Sequence, residues 1–265
     1  MTFAELLPIA SAAVDQAADL MRQTQPGVIT AKGDRDMVSE VDYAIEKQLR
    51  AYLAEQTPTI GFLGEEEGAS GSNGDLQWAL DPIDGTANFV RGIPLCAVSL
   101  GLVHHGQPVL GVVDLPFLGA RYTAVQGSGA YANGQPIHAS TTDQMSEAIV
   151  AIGDYATGLN ADTKNATRLA ITTHLAATVQ RVRMNGSAAI DLVWLAHGRI
   201  DATITLSNKP WDMAAGVIIA REAGALVVDA DGNPHSASST ATVGTTPALV
   251  NQITAIIRQA KAEAL

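Results

Sequence analysis

The sequence is poor in cysteine, in aromatic residues and in positive charge. Its 265 residues include one cysteine, Cys96, so no internal disulfide can form and nothing points to an oxidising compartment. Lysine and arginine number 16 against 27 aspartate and glutamate, a formal net charge of -11. Nucleic acids and anionic membranes are held by basic patches, so this balance argues against both as partners. No stretch reaches the ~18 uninterrupted apolar residues of a membrane span, and the amino terminus lacks the basic-then-apolar pattern of a secretion signal. The expectation is a cytoplasmic protein. The six histidines make no zinc-type set with cysteine or acids, and no Gly-x-x-x-x-Gly-Lys-Ser/Thr loop is present for a nucleoside triphosphate.

What is present is the composition of a compact folded chain: 47% hydrophobic, 16% charged and 24 glycines. The length suits one large domain or two small ones packed together, with a core of substantial size either way. Thr2-Phe-Ala-Glu5 is a capping-box pattern ahead of Leu6, Ala10, Ala13, Val14, Ala17, Leu20 and Met21 at helical spacing. A second helix is expected from Ser39. Residues 59–63, 77–80, 95–103, 109–115 and 121–125 then read as strands. Helices and strands alternate after that, with strands at 148–152, 178–182, 200–205 and 225–229. Helices are expected at 163–174, 187–197, from Trp211 to Gly224, and 247–262. The boundary falls near residues 138–147, which divides the chain into 1–140 and 141–265, two halves of a single compact unit.

Four carboxylates, Glu65, Asp81, Asp84 and Asp212, stand where an apolar strand ends or a helix begins. Side chains at such positions can converge on a shared cleft. Hard oxygen ligands of this kind suit Mg²⁺. In Asp81-Pro-Ile-Asp84-Gly-Thr86 two acids are separated by a proline and released into a turn by a glycine. If a helix begins there, the amides of Gly85 and Thr86 form an anion site. An ordinary Asp-Pro, Asp-Gly turn explains the proline and glycine and leaves the acids unexplained. The loop also differs from the Asp-x-Asp-Gly-Thr nucleophile loop of haloacid-dehalogenase-like phosphatases, because Pro82 occupies the nucleophile position. Asp229-Ala-Asp231-Gly-Asn233 resembles the start of a calcium loop but continues with Pro234, and reads as a turn.

These motifs resemble the inositol monophosphatase family over nearly the whole chain. The resemblance rests on Gly64-Glu65-Glu66, on Asp81-Pro-Ile-Asp84-Gly-Thr86 with Asn88-Phe89, and on Trp211-Asp212-Met-Ala-Ala-Gly216. An upstream segment, Lys32 with Asp36-Met-Val-Ser39-Glu-Val-Asp42, matches a further family element with serine in place of threonine. The resemblance implies an α/β (α+β) fold, a layered α-β-α-β-α sandwich, and a homodimer. It implies Mg²⁺-dependent hydrolysis of small phosphate monoesters, with two to three Mg²⁺ ions. Glu65, Asp81 and the carbonyl of Ile83 would hold one ion, and Asp81, Asp84 and Asp212 a second. One ion would activate water and the other stabilise the leaving oxygen. Thr86, oriented by Asp42, would position that water together with Glu65, and the phosphate would lie on the Gly85 and Thr86 amides.

The substrate's alcohol would be met by Gly186, Ser187 and Ala188, by Asp84 and Asp212, and by Thr205. Ser187 has an equally good reading as a plain helix cap, while for Asp212 the rival reading, a residue that favours its helix amino terminus, is outweighed by Trp211 and Ala214-Ala-Gly216 of the family motif. Family members acting on inositol phosphate usually carry glutamate seven residues before the last metal aspartate, where this chain has Thr205. Inositol monophosphate remains the leading substrate, with histidinol phosphate, fructose bisphosphate and 3′-phosphonucleotides as family alternatives. Lys209, Arg181 and Arg183 read either as sites for a second anionic group or as solvated surface charges. A non-catalytic relative would be expected to lack at least one of the four acids, and none is missing.

Overall fold

The computed structural model describes residues 1–31, 37–72 and 74–264. Helix α1 (Phe3–Gln23) starts on a complete capping box between Thr2 and Glu5. Strands β1 (Ile29–Ala31) and β2 (Met37–Ser39) pair antiparallel, and Ser39 then caps α2 (Glu40–Gln56) through a second box with Asp42. Lys32 and Asp36, named for their family likeness, lie outside the described residues. There follow β3 (Gly61–Gly64), β4 (Gly68–Ser70), β5 (Leu76–Asp84), a short helix α3 (Thr86–Val90), β6 (Ala97–His104), β7 (Gln107–Leu115), β8 (Ala120–Val125), β9 (Ala130–Ala132) and β10 (Gln135–Ile137). Strands β3 to β10 form one sheet in the order β10-β9-β8-β7-β6-β5-β3-β4, antiparallel except where β3 runs parallel to β5.

The remainder comprises β11 (Ile149–Ile152), α4 (Ala161–Thr178), β12 (Arg181–Arg183), α5 (Ala188–Ala196), β13 (Ala202–Thr205), α6 (Pro210–Glu222), β14 (Leu226–Val228), β15 (Thr242–Thr245) and α7 (Val250–Glu263). Its sheet has the order β12-β11-β13-β15-β14, with β11 parallel to both β12 and β13.

Three apolar clusters define the layers. Helices α1 and α2 cover one face of the large sheet through Leu6, Ala13, Val14, Ile45 and Leu49 against Trp78, Leu100 and Val112. Helices α5 and α6 fill the space between the two sheets. Helices α4 and α7 close the far face of the small sheet through Ile171, Leu175, Ile253 and Ile257. The architecture is the expected α-β-α-β-α sandwich.

Helix α6 lies unusually close to the large sheet, and small residues on both sides permit it. Gly101 and Gly111 face each other across β6 and β7. A Cβ at Gly101 would stand 2.7 Å from the Ala214 Cβ, and one at Gly111 would stand 2.5 Å from the Ala215 carbonyl. On the opposite side of the helix, a Cβ at Gly216 would meet Leu192 of α5 at 2.6 Å. The Ala-Ala-Gly run after Asp212 therefore sets the depth at which Asp212 enters the molecule.

Several elements differ from expectation. Helix α4 continues to Thr178, where a strand is expected, and the strand begins only at Arg181. The threonines at 172, 173 and 178 return their hydroxyls to carbonyls one turn back, so their polar groups are met within the helix. Four elements are absent from the sequence reading: the β1–β2 pair, β4, the β9–β10 hairpin and β15. The hairpin signal was Asn133-Gly134, whose φ angles of 48° and 76° suit a tight two-residue turn. Strand β15, Thr-Val-Gly-Thr, lacks an apolar run and is held by pairing on both sides.

Candidate active site

The parallel register of β3 and β5 pairs Gly64 with Leu80, and the Glu65 amide donates to the Leu80 carbonyl at 3.2 Å. Glu65 and Asp81, the next residue of each strand, thus leave the sheet side by side. In a regular strand, Asp81 and Asp84 would point to opposite faces. The pairing with β6 shifts between Asp81, opposite Ser99, and Asp84, opposite Ala97, so β5 carries one extra residue there. That bulge turns both acids to the same side, and Pro82 sits where no ladder donor is needed. Asp212 arrives from the first turn of α6, which Pro210 starts.

One carboxylate oxygen from each of Glu65, Asp81 and Asp212 lies within 4.8 Å of the others. These three, with Met37, Ile83, Asp84, Gly85, Thr86, Ala87, Gly186 and Lys209, line a cleft of about 180 Å³. Asp84 shares the cleft but stands outside the tight trio. Its Oδ2 accepts from the Ser187 hydroxyl at 2.8 Å and from the amide of Ala189, with the Ala188 amide also directed to it. Burial raises its carboxyl to about 6 despite those donors, with the Glu65 charge adding to the effect. Asp81 is pushed well above the usual carboxylate range, first by burial and then by the charges of Glu65, Asp84 and Asp212. A divalent cation among these acids would reverse that sign, because it favours their ionised forms. The donor set is all oxygen, as a hard cation requires.

Thr86 opens α3 immediately after Gly85, whose φ of 95° is left-handed. A Cβ at Gly85 would stand 2.9 Å from the Leu95 carbonyl and 3.1 Å from that of Gly186, so only glycine fits. The Thr86 hydroxyl shares its proton between Asp42 Oδ1, at 3.2 Å, and the Ile83 carbonyl, at 3.0 Å. The other Asp42 oxygen accepts from the Ser39 amide and hydroxyl. Burial raises the Asp42 carboxyl above its ordinary value while those hydrogen bonds oppose the shift.

The site thus assembles Glu65, Asp81, Ile83, Asp84, Gly85, Thr86, Gly186 and Asp212, with Asp42 behind Thr86. Three expected substrate contacts do not line this cleft. Ser187 is buried, and its hydroxyl both caps α5 at the Ile190 amide and donates to Asp84, so the start of α5 addresses Asp84. Ala188 likewise serves Asp84 with its amide. Thr205 lines a second cavity, also about 180 Å³, with Gly153, Asp154, Arg168 and Ser207. Arg181 and Arg183 are exposed on the edge strand and line neither space. Lys209 does line the acid cleft, with its ammonium 5.7 Å from the centre of the Trp211 ring.

Asn88 has a bridging part that its place in the motif alone did not reveal. Its amide donates to the Leu95 carbonyl at 2.7 Å and to the Asn185 carbonyl at 2.9 Å, tying the loop before α5 to the first half of the chain. Asn185 in turn donates to buried Asp191, whose carboxyl burial pushes up to about 8. The Cys96 thiol, beneath the cleft, is pushed up to about 12 by burial and then by the Asp84 and Asp42 charges, which leaves it unreactive. Asp229 accepts the Asp231 and Asn233 amides, as a turn does.

The profile of the inositol monophosphatase family matches residues 3–262. A protein named probable inositol 1-monophosphatase ImpA, from Mycobacterium tuberculosis, is 37% identical over 96% of this chain and 94% of its own length. One from Aquifex aeolicus named fructose-1,6-bisphosphatase/inositol-1-monophosphatase is 36% identical over 74% of this chain and 73% of its own. Among solved structures, the Thermotoga maritima IMPase superposes with a TM-score of 0.90 at 28% identity, covering 98% of this chain and 100% of that one.

Proposed function

This chain belongs to the inositol monophosphatase family, and from that premise we propose that it is a Mg²⁺-dependent hydrolase of small phosphate monoesters. The observation that carries the reading is the convergence of Glu65, Asp81 and Asp212 oxygens within 4.8 Å. Glu65, Asp81, the Ile83 carbonyl, Asp84 and Asp212 would hold two to three Mg²⁺ ions. Bound there, the ions supply Lewis-acid activation of water and charge neutralisation on the phosphate.

The chain's own groups do the rest. With its proton engaged by Asp42 and Ile83, the Thr86 oxygen offers a lone pair to a water molecule and orients it for attack. Glu65, which lines the same cleft, accepts the proton that the attacking water gives up. The Gly85 and Thr86 amides hold the phosphate, and the left-handed turn at Gly85 brings the backbone close enough to do so. Ser187 and the Ala188 and Ala189 amides fix Asp84 in one orientation.

Inositol monophosphate is the leading substrate. A second reading, that the substrate carries another anionic group as fructose 1,6-bisphosphate does, is favoured by two cations, one in the acid cleft and one in the Thr205 cavity. Lys209 lines the acid cleft. Arg168 lines the cavity beside Thr205, bonds only to the Lys164 carbonyl of its own helix, and feels burial alone among the described residues.

Phosphate release from a panel of monoesters, with Mg²⁺ and with a chelator, tests the activity. Turnover is expected only with the metal, and none across the panel would overturn it. Comparing kcat/KM for inositol monophosphate and fructose 1,6-bisphosphate decides between the two substrate readings.

A further inference from the structure

Helix α2 carries two buried acids one turn apart on one face, Asp42 and Glu46. Asp42 reaches Thr86. Glu46 reaches the turn that carries Glu65: one of its oxygens accepts the Glu66 amide at 2.8 Å, and the other accepts the Glu67 amide at 2.9 Å. Arg50, one turn further along α2, donates to the same carboxylate and extends its other donors to the Gly68 carbonyl, at 3.0 Å, and the Ser70 hydroxyl. The Glu46 side chain is fully buried, so its charge is tolerable only because two amides and a guanidinium meet it. Gly64 makes room for it, since a Cβ there would stand 2.2 Å from the Glu46 carboxyl. The glycine ahead of Glu65 is thus demanded by Glu46.

We propose that Glu46 is the positioning residue for the Glu65 carboxylate: by gripping the two amides that follow Glu65, it sets where that acid stands relative to Asp81 and Asp212. The inference rests on the reading of Glu65 as a Mg²⁺ ligand. It makes α2 a common gauge, with Asp42 setting the Thr86 hydroxyl and Glu46, one turn away, setting the acid that shares its cleft. A glutamate is needed because both oxygens must accept. Glutamine keeps the shape but offers one acceptor, and its NH₂ would face a backbone N–H of Glu66 or Glu67.

The test is calorimetric titration of Mg²⁺ into wild-type protein and Glu46→Gln, alongside the Mg²⁺ dependence of phosphate release. The expected result is Mg²⁺ affinity weakened about ten-fold or more, with the activity curve moved by the same factor and kcat at saturating Mg²⁺ falling less than the affinity. A folded Glu46→Gln protein that melts lower yet binds Mg²⁺ as the wild type does would overturn the proposal, since that is the behaviour of a purely structural residue. Should that variant not fold, Glu46→Asp carries the test: it keeps the charge, but its shorter arm withdraws the carboxylate from the Glu66 and Glu67 amides. It is expected to weaken Mg²⁺ binding about ten-fold, and a folded variant with unchanged affinity would overturn the proposal. No Mg²⁺ binding by the wild type would overturn the metal reading and this inference together.

Discussion

The acids of the cleft and the acid beside it, Glu46, are treated in opposite ways by the fold. In the cleft, Asp81 is buried against the charges of Glu65, Asp84 and Asp212, and its carboxyl is driven upward. Less than one helical turn beyond Glu65 in the chain, the amides of Glu66 and Glu67 close on Glu46 together with Arg50. One acid stands among like charges and the other among donors. The difference separates a binding site from a structural clamp: crowded carboxylates lower the stability of the metal-free fold and are useful only when a cation joins them, whereas a fully met carboxylate holds backbone in place unaided.

Substitution at the two kinds of acid should therefore move activity and stability in different combinations. Asp81→Asn or Asp84→Asn is expected to lower phosphate release about a thousand-fold or more. Asp81→Asn should leave the metal-free melting temperature unchanged or higher, because a repelled charge is removed; a marked drop would break the comparison. Glu46→Gln should instead lower the stability of the metal-free protein by about 3 kcal/mol in denaturant unfolding, the order seen when one partner of a buried charged group is removed. Wild-type protein should gain about 2.7 kcal/mol when Mg²⁺ is raised to a hundred times its dissociation constant, and Asp81→Asn should gain little; equal gains would place the ion elsewhere.

Dependence on pH sharpens the contrast, in chelator. Asp84 rises from 3.8 to about 6 on folding, so the folded state holds the proton more tightly. Its contribution is complete below about pH 4 and is lost as pH rises through about 6. His235, buried and close to Arg221, falls from 6.5 to about 4. Its contribution is present above about pH 6.5 and is lost as pH falls through about 4. Melting curves from pH 4 to 7 should show Asp84→Asn losing the first trend and His235→Gln the second, and superimposable profiles would remove these groups as the cause. The smallest effect belongs to Thr205→Glu, which adds an acceptor for hydroxyls and a charge opposed to a second anion. It should shift kcat/KM toward inositol monophosphate over fructose 1,6-bisphosphate by about ten-fold, or ~1.4 kcal/mol. No shift would detach the Thr205 cavity from substrate choice.

Much of the fold is written locally. The boxes at Thr2 and Ser39, the proline that opens α6 and the glycine stops need only neighbours in the chain, and helix starts are where expectation and structure agree best. Short strands such as β4 and β15 escaped because pairing partners, rather than their own residues, make them strands. Within the site, the motifs picked out the acids, whereas the structure turns Ser187 to Asp84 and sets Thr205 in a separate cavity. Ser187 is drawn to Asp84, which lies over a hundred residues away in sequence, and no local pattern records that attraction.

By itself, the sequence determined the identity of the acids, the turn chemistry at Gly85 and the lack of a second cysteine for an internal disulfide, because these depend on residue type and near neighbours. Tertiary structure alone decided that Asp81 and Asp84 share a face through an extra residue in β5, and that α6 sinks onto Gly101 and Gly111 until Asp212 meets Asp81. It also decided that Glu46 stands behind Glu65. Those outcomes depend on pairing register and on the clearance between packed layers, which are properties of distant segments in contact.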